Sequence, residues 1–120
     1  MVREGQIVLF RFPQTDHAGV KVRPALVVRA LPGDYEDWLI CMISSRIGQA
    51  IPEFDEIVFN DDPEFPVSGL RTSSVIRVGR LAVAASSVLA GTIGEISSER
   101  LSRIQRALAE WLRNAHGNSS

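Results

Sequence analysis

The chain has 120 residues, enough for one domain with its own core and too few for two comfortable ones. Apolar residues make up 45% and charged residues 22%, an ordinary globular balance, and no apolar run approaches the roughly 20 residues a membrane helix needs. A net charge of −1 argues against a general nucleic-acid binder.

The first five residues, Met1 to Gly5, hold a charge pair where an export signal needs a long apolar stretch, so a cytoplasmic protein is expected. Gln6 to Phe12 reads as a strand, rich in β-branched and aromatic residues and stopped by Pro13. Gln14 to Lys21 is a polar loop. Pro24 to Ala30 reads as the second strand, with Pro24 at its start where no ladder donor is needed. Pro32-Gly33-Asp34 signals a turn. Trp38 to Ser44 is apolar almost throughout, the pattern of a strand buried on both faces.

Arg46 to Asp55 reads as a loop bent at Pro52, and Glu56 to Phe59 as a short strand. Asn60 to Ser68 is turn-rich, and its two prolines argue against a continuous element. Strand character returns over Ser73 to Val78, with Arg80 to Ala84 as a continuation, and again over Thr92 to Ile96. The period then changes. Leu101, Ile104, Leu108, Trp111 and Leu112 fall on one helical stripe, with Ser97 as N-cap, Glu99 in the first turn and Gly117 as stop. That helix spans about 17 residues, or about 25 Å. Its other face carries Arg100, Arg103, Arg106 and Arg113 and reads as solvated.

Short strands followed by one amphipathic helix predict a mainly β fold, a small barrel or strongly bent sheet capped by a C-terminal helix. Residues 1–113 form the expected single domain and 114–120 a tail. Trp38 and Trp111 sit in apolar surroundings and read as core, as does the lone Cys41.

Charge is unevenly spread. From Asp34 to Glu64 nine acidic residues accompany one basic residue, Arg46, while the rest of the chain carries twelve basic and five acidic. Twelve of the thirteen cations are arginine, whose planar fork holds phosphate as an ammonium cannot. His17 and His116 are far apart and Cys41 has no partner, so zinc is not expected. Asp61-Asp62 with Glu64 could in principle hold magnesium but read as solvated loop charge.

Gly5-Gln6-Ile7-Val8, Pro13 with its polar loop, Arg23-Pro24-Ala25-Leu26-Val27-Val28 and Ile43-Ser44-Ser45 together resemble the MazF/PemK family of toxin endoribonucleases. Ser68-Gly69-Leu70, Ser74-Val75-Ile76-Arg77, Arg80-Leu81 and Ile93-Gly94-Glu95-Ile96-Ser97 continue the match in the family's order, from Gly5 to about Leu112. The resemblance implies an SH3-like β-barrel with a C-terminal helix, a homodimer and a co-expressed antitoxin. It also implies cleavage of single-stranded RNA without metal or other cofactor.

By the same resemblance Arg23 corresponds to the family's catalytic arginine and Ser44 to a hydroxyl at the scissile phosphate. Ser45 would help position RNA, and Arg46, Lys21 and Asp16 complete the expected substrate-binding set. His17, in the loop after the first strand, suits acid–base work through its near-neutral pKa, and Asp16 is the other candidate base. The simpler reading of Ser44 and Ser45 is that they cap the end of their strand. Arg77 corresponds to an arginine that some members use with an aspartate two residues later, a position held here by Gly79. That departure removes one base and puts more of the work on Arg23. It also keeps two other readings open: a binding module that inhibits a protein target such as gyrase, and an inactive homologue that only pairs with an antitoxin.

Overall fold

The computed structural model describes residues 2–13 and 20–114. Among them, antiparallel strands β1 (Gln6–Pro13), β2 (Val20–Ala30), β3 (Asp37–Ser44), β4 (Glu56–Val58), β5 (Ser74–Ala85) and β6 (Leu89–Glu95) form one sheet in the order β4-β5-β3-β2-β1-β6. A single-turn helix α1 (Phe65–Ser68) lies between β4 and β5, and the long helix α2 (Ser98–Arg113) follows β6. Neither helix is long and apolar enough to cross a membrane.

Alternation along the strands gives the sheet two apolar faces. One face carries Ile7, Leu26, Cys41, Ile43, Ile76 and Val78, packed beneath Ile104 and Leu108 of α2. The other carries Val8, Ala25, Val27, Ile40 and Ala84, covered at its margins by Phe10, Trp38 and Met42. Ile40 and Cys41 are consecutive and both fully buried, so β3 is covered on both sides as its apolar run predicts. Register shifts lie between Val27 and Arg29, between Cys41 and Ile43, and twice along the β1–β6 pairing. Each shift adds local bend and twist, and the sheet curls enough to enclose the first core.

The ladder does not close into a barrel, since β4 and β6 remain its edges. The β4–β5 connection spans the gap instead, with α1 packing on β6. Two glycines permit that approach. Gly69 has φ +74°, and a Cβ there would run into the backbone of Ile93; a Cβ on Gly94 would run into the carbonyls of Val67 and Ser68. The prolines of residues 60–68 do not prevent α1, because Pro66 sits in its first turn, where a missing N–H costs nothing.

The start of β2 differs from the sequence reading. Pro24 lies inside the strand, paired with Leu9, and β2 begins at Val20. Proline is tolerated there because the β2–β3 ladder begins only at Ala25, opposite Met42, so at Pro24 the strand is laddered on the β1 side alone. Strand β5 likewise runs unbroken through Gly79.

Helix α2 starts where predicted. The Ser97 hydroxyl accepts the Arg100 N–H at 3.1 Å, and the helix ends at Arg113 with Asn114 as its C-cap. The stop expected at Gly117 lies outside the described residues. Burying Ile104 and Leu108 contributes about 1.5–3 kcal/mol each. Trp111 does not join the core: it is 54% exposed and meets Phe54 edge-on at 5.8 Å, and Leu112 is more exposed still. In this last turn Leu112 still borders a groove with Val28 and Leu39 of the sheet, without being buried.

On the arginine face Arg103, Arg106 and Arg113 are exposed as expected, and Arg100 is the exception. Arg100 is buried, its side chain 8% exposed, and its guanidinium reaches Glu56 at 2.9 Å, Asp62 at 2.9 Å and Glu64 at 3.2 Å. It also donates to the Ile57 carbonyl at 3.1 Å. Arg103 adds a second contact to Glu56 at 3.1 Å. Asp62 and Glu64 are therefore structural counter-charges and not solvated loop charge. Among the described residues no group of three or more His, Cys, Asp or Glu side chains is arranged to hold a metal ion.

Arg100→Ala leaves Asp62 and Glu64 without their cation and Glu56 with Arg103 alone, and is expected to cost about 3 kcal/mol, the lower end for breaking a buried pair because the carboxylates keep some water. Arg103→Ala, at a half-exposed site, should cost under about 1 kcal/mol; urea unfolding of the two variants checks the contrast. Burial works against the charge on Glu64, but hydrogen bonds from Ser97 and the adjacent Arg100 outweigh it and hold the carboxyl below its ordinary range. A depressed folded-state pKa stabilises above the unfolded value and is lost as pH falls. Stability should therefore drop as pH falls from about 4.3 through the folded pKa, less steeply in Glu64→Gln, as read by unfolding midpoints across that range.

Candidate active-site cleft

Below Ala25 and beyond Met42, β2 and β3 part company. The start of β2 stays with β1, pairing Arg23 with Phe10 and Pro24 with Leu9. The end of β3 stays with β5, pairing Ile43 with Ile76 and Ser44 with Val75. The seam between them opens as a cleft of about 550 Å³, within the roughly 300–1,000 Å³ of small-ligand sites. Its floor is apolar, formed by Leu9, Pro24, Ile43, Leu70 and Ile93, with the half-exposed Val22 at its edge. Its rim is polar, with Arg23 from β2, Ser44 and Ser45 from the end of β3, and Arg71, Thr72 and Ser74 from the turn into β5.

Arg23 is exposed and lies within β2, not at the loop–strand junction that the sequence suggests. A strand laddered to β1 fixes its Cα more firmly than a loop would. The Ser44 hydroxyl accepts the Arg46 N–H at 3.0 Å, so the capping role is real. A hydroxyl that accepts still has its own proton to donate, and Ser44 faces the cleft while it caps.

The structure brings together three of the eight residues the sequence nominates: Arg23, Ser44 and Ser45. Arg46 and Lys21 are exposed but do not line the cleft. His17 and Asp16 lie outside the described residues. Arg77 is also absent from the cleft wall. Its guanidinium pairs with Asp55 at 3.2 Å and donates to Gln49 at 3.0 Å. Asp55 is nearly inaccessible, and it also accepts the backbone N–H groups of Val78 at 2.9 Å and Ile51 at 3.0 Å. The pair staples residues 49–55 to β5. At Gly79 a Cβ would sit 3.3 Å from the Phe54 ring, so the position beside Arg77 that lacks an acid is already crowded. Cys41 takes no part: it is buried, and burial followed by the nearby Asp55 charge pushes its thiol up to about 12.

The sequence did not single out Arg71, Thr72 or Ser74. Their positions follow from long-range packing. Ser68, fully buried, donates to the Phe65 carbonyl at 2.6 Å and accepts the Leu70 N–H at 3.1 Å, while Leu70 is anchored in the first core. On the far side, the Ser74 hydroxyl donates to the Thr72 carbonyl at 2.8 Å. Arg71 thus projects from a turn held at both ends.

The cleft can hold an anion at its rim and a flat apolar group on its floor. Among the described residues its wall includes no Asp, Glu or His, so the charge it presents is uniformly positive.

Comparison with known proteins identifies the family and the fold. The model of the PemK-like, MazF-like toxins of type II toxin–antitoxin systems matches residues 3–112. No curated protein matches the sequence significantly. Among solved structures, the fold is similar to the Mycobacterium tuberculosis toxin MazF-mt6, with a TM-score of 0.64, 16% identity, and coverage of 89% of this chain and 95% of that one. It is also similar to an endoribonuclease in complex with its cognate antitoxin from mycobacterial species, with a TM-score of 0.61, 15% identity, and coverage of 93% and 95%. At these identities the structural likeness speaks for the fold, and the family match over almost the whole sequence carries the assignment: the chain belongs to the PemK-like, MazF-like toxins of type II toxin–antitoxin systems.

Proposed function

We propose that the protein is a metal-independent endoribonuclease acting on single-stranded RNA, held in check by a cognate antitoxin. The observation that carries this reading is the cleft that joins Arg23 and Ser44 across the β2–β3 seam in a chain of this toxin family. The substrate's 2′-oxygen attacks the adjacent phosphorus and the bond to the 5′-oxygen breaks, leaving a 2′,3′-cyclic phosphate and a 5′-hydroxyl. One proton leaves the 2′-hydroxyl and one is taken up by the 5′-oxygen. Charge grows on the non-bridging oxygens in between. A preoriented guanidinium beside them lowers the barrier, usually the largest catalytic contribution in such a reaction.

Arg23 supplies that cation. The Ser44 hydroxyl donates to a phosphate oxygen, and Ser45 helps seat the strand. Arg77 pairs with Asp55 and does not line the cleft, so it takes no part at the phosphate. His17 and Asp16 are the sequence's candidates for the proton from the 2′-hydroxyl. The antitoxin supplies an acidic segment that occupies the arginine-bearing cleft in place of RNA, and the active toxin is a homodimer.

Incubation of the full chain with defined single-stranded RNA oligonucleotides in EDTA tests the reading. Wild type is expected to yield cyclic-phosphate ends, and Arg23→Ala to cleave about 10²–10³-fold more slowly. No cleavage by wild type, or equal cleavage by Arg23→Ala, overturns it. Growth inhibition that survives Arg23→Ala would point to a toxin acting by binding a protein.

A further inference from the structure

We propose that Arg71 is a second phosphate-binding residue of the cleft, holding the phosphate next to the one that Arg23 attends. The proposal rests on the endoribonuclease reading and extends it to how the strand is seated. Arg23 and Arg71 both line the cleft around its apolar floor, Arg23 from β2 and Arg71 from the turn before β5. A nucleotide lying across that floor has its flat base against Leu9, Pro24 and Ile93 and a phosphate at each end. Two cations from separate elements around one apolar floor match that sequence of groups.

Three features of the structure set Arg71 apart from the other arginines. It lines the cleft and is exposed there. Among the described residues no carboxylate pairs with it, whereas Arg77, Arg100 and Arg103 are each engaged with acids. Its backbone is braced by the Ser68 hydroxyl, by the buried Leu70 and by the close passage of Gly69 against Ile93. A cation on a braced turn binds an anion with less loss of freedom than one on a loose loop. Its task is binding and register, and it acts on the substrate before and during the reaction alike. Such uniform binding alters KM and leaves kcat nearly unchanged.

The test uses the full chain and a short single-stranded RNA of mixed sequence whose 2′-hydroxyls are methylated, so that it binds without being cut. Arg71→Ala is expected to bind it about tenfold more weakly, as for loss of one charged hydrogen-bonded contact. The slope of log affinity against log salt, taken between about 50 and 200 mM, should become shallower by about 0.7, the share of one phosphate on a single strand. Arg71→Lys should recover the slope and part of the affinity, since an ammonium keeps the charge but loses the fork. On the cleavable RNA, Arg71→Ala should raise KM with little change in kcat. Arg106→Ala, which removes an exposed arginine from α2, should leave affinity and slope unchanged.

If wild type neither binds nor cleaves RNA, the functional reading and this inference fall together. If wild type cleaves and Arg71→Ala binds as tightly with the same slope, this inference alone is wrong. An equal loss of slope in Arg106→Ala would also overturn it, by showing an effect of overall charge. So would a loss of affinity in Arg71→Ala at unchanged slope, which would show a merely structural role.

Discussion

The buried guanidinium of Arg100 is the contact on which the arrangement of this molecule turns. It comes from the first turn of α2 and reaches β4 through Glu56 and the β4–β5 connection through Asp62 and Glu64. Glu64 immediately precedes α1, and it also accepts from the Ser97 hydroxyl at 2.7 Å and the Ser97 N–H at 3.2 Å, at the N-cap of α2. One cation therefore fixes where α2 begins, where the short edge strand lies, and where the connection turns toward β6. The turn carrying Arg71 follows a few residues later, through Ser68 and Gly69. The distance from a buried ion cluster to the rim of the cleft is one helical turn and two residues of chain.

The second constraint is a missing donor. Pro24 has no N–H to offer, and at that point β2 stops pairing with β3. Beyond it the two strands follow different partners, and the space between them is the cleft. Leaving backbone unpaired would be costly in a buried sheet, but here the seam opens to solvent and proline has removed one of the groups concerned. The feature that weakens the ladder also opens Arg23 and Ser44 onto one shared cleft. The cation then sits on a strand and not on a flexible loop, so its aim is set by the β1 ladder.

Local patterns made much of the fold readable. Short apolar runs rich in β-branched and aromatic residues, bounded by proline and turn signals, marked β1, β2 and β3, and the change to a helical period marked α2 and its Ser97 cap. What could not be read was whatever depends on distant partners. Arg100 and Arg106 look alike in sequence, and only the carboxylates brought up by β4 and its connection make one of them buried. Trp111 lies on the apolar stripe, yet it meets the edge of Phe54 in the β3–β4 connection and stays half-exposed. The site divides in the same way. Arg23 and Ser44 belong to recognisable strand segments, whereas Arg71 follows a loop-like Ser68-Gly69-Leu70 whose position is decided by contact with Ile93 and Gly94 of β6. Arg77 shows the opposite case: a match in sequence whose side chain is committed to Asp55.

Net charge is a poor guide to what this surface attracts. The acidic stretch from Asp34 to Glu64 brings the total to −1 and makes the chain look unsuited to a polyanion. Asp55, Glu56, Asp62 and Glu64 from that stretch are nevertheless turned inward, onto Arg77, Arg100 and Arg103. Their charge is spent within the fold, and screening confines what remains to distances of about 10 Å at moderate salt. A phosphate approaching the seam meets Arg23 and Arg71 with no carboxylate among the described residues of the wall. The sign of the field that matters is set by where the acids are consumed, and the ion pairs that hold β4, α2 and the connecting turn together are the same ones that keep negative charge off the cleft.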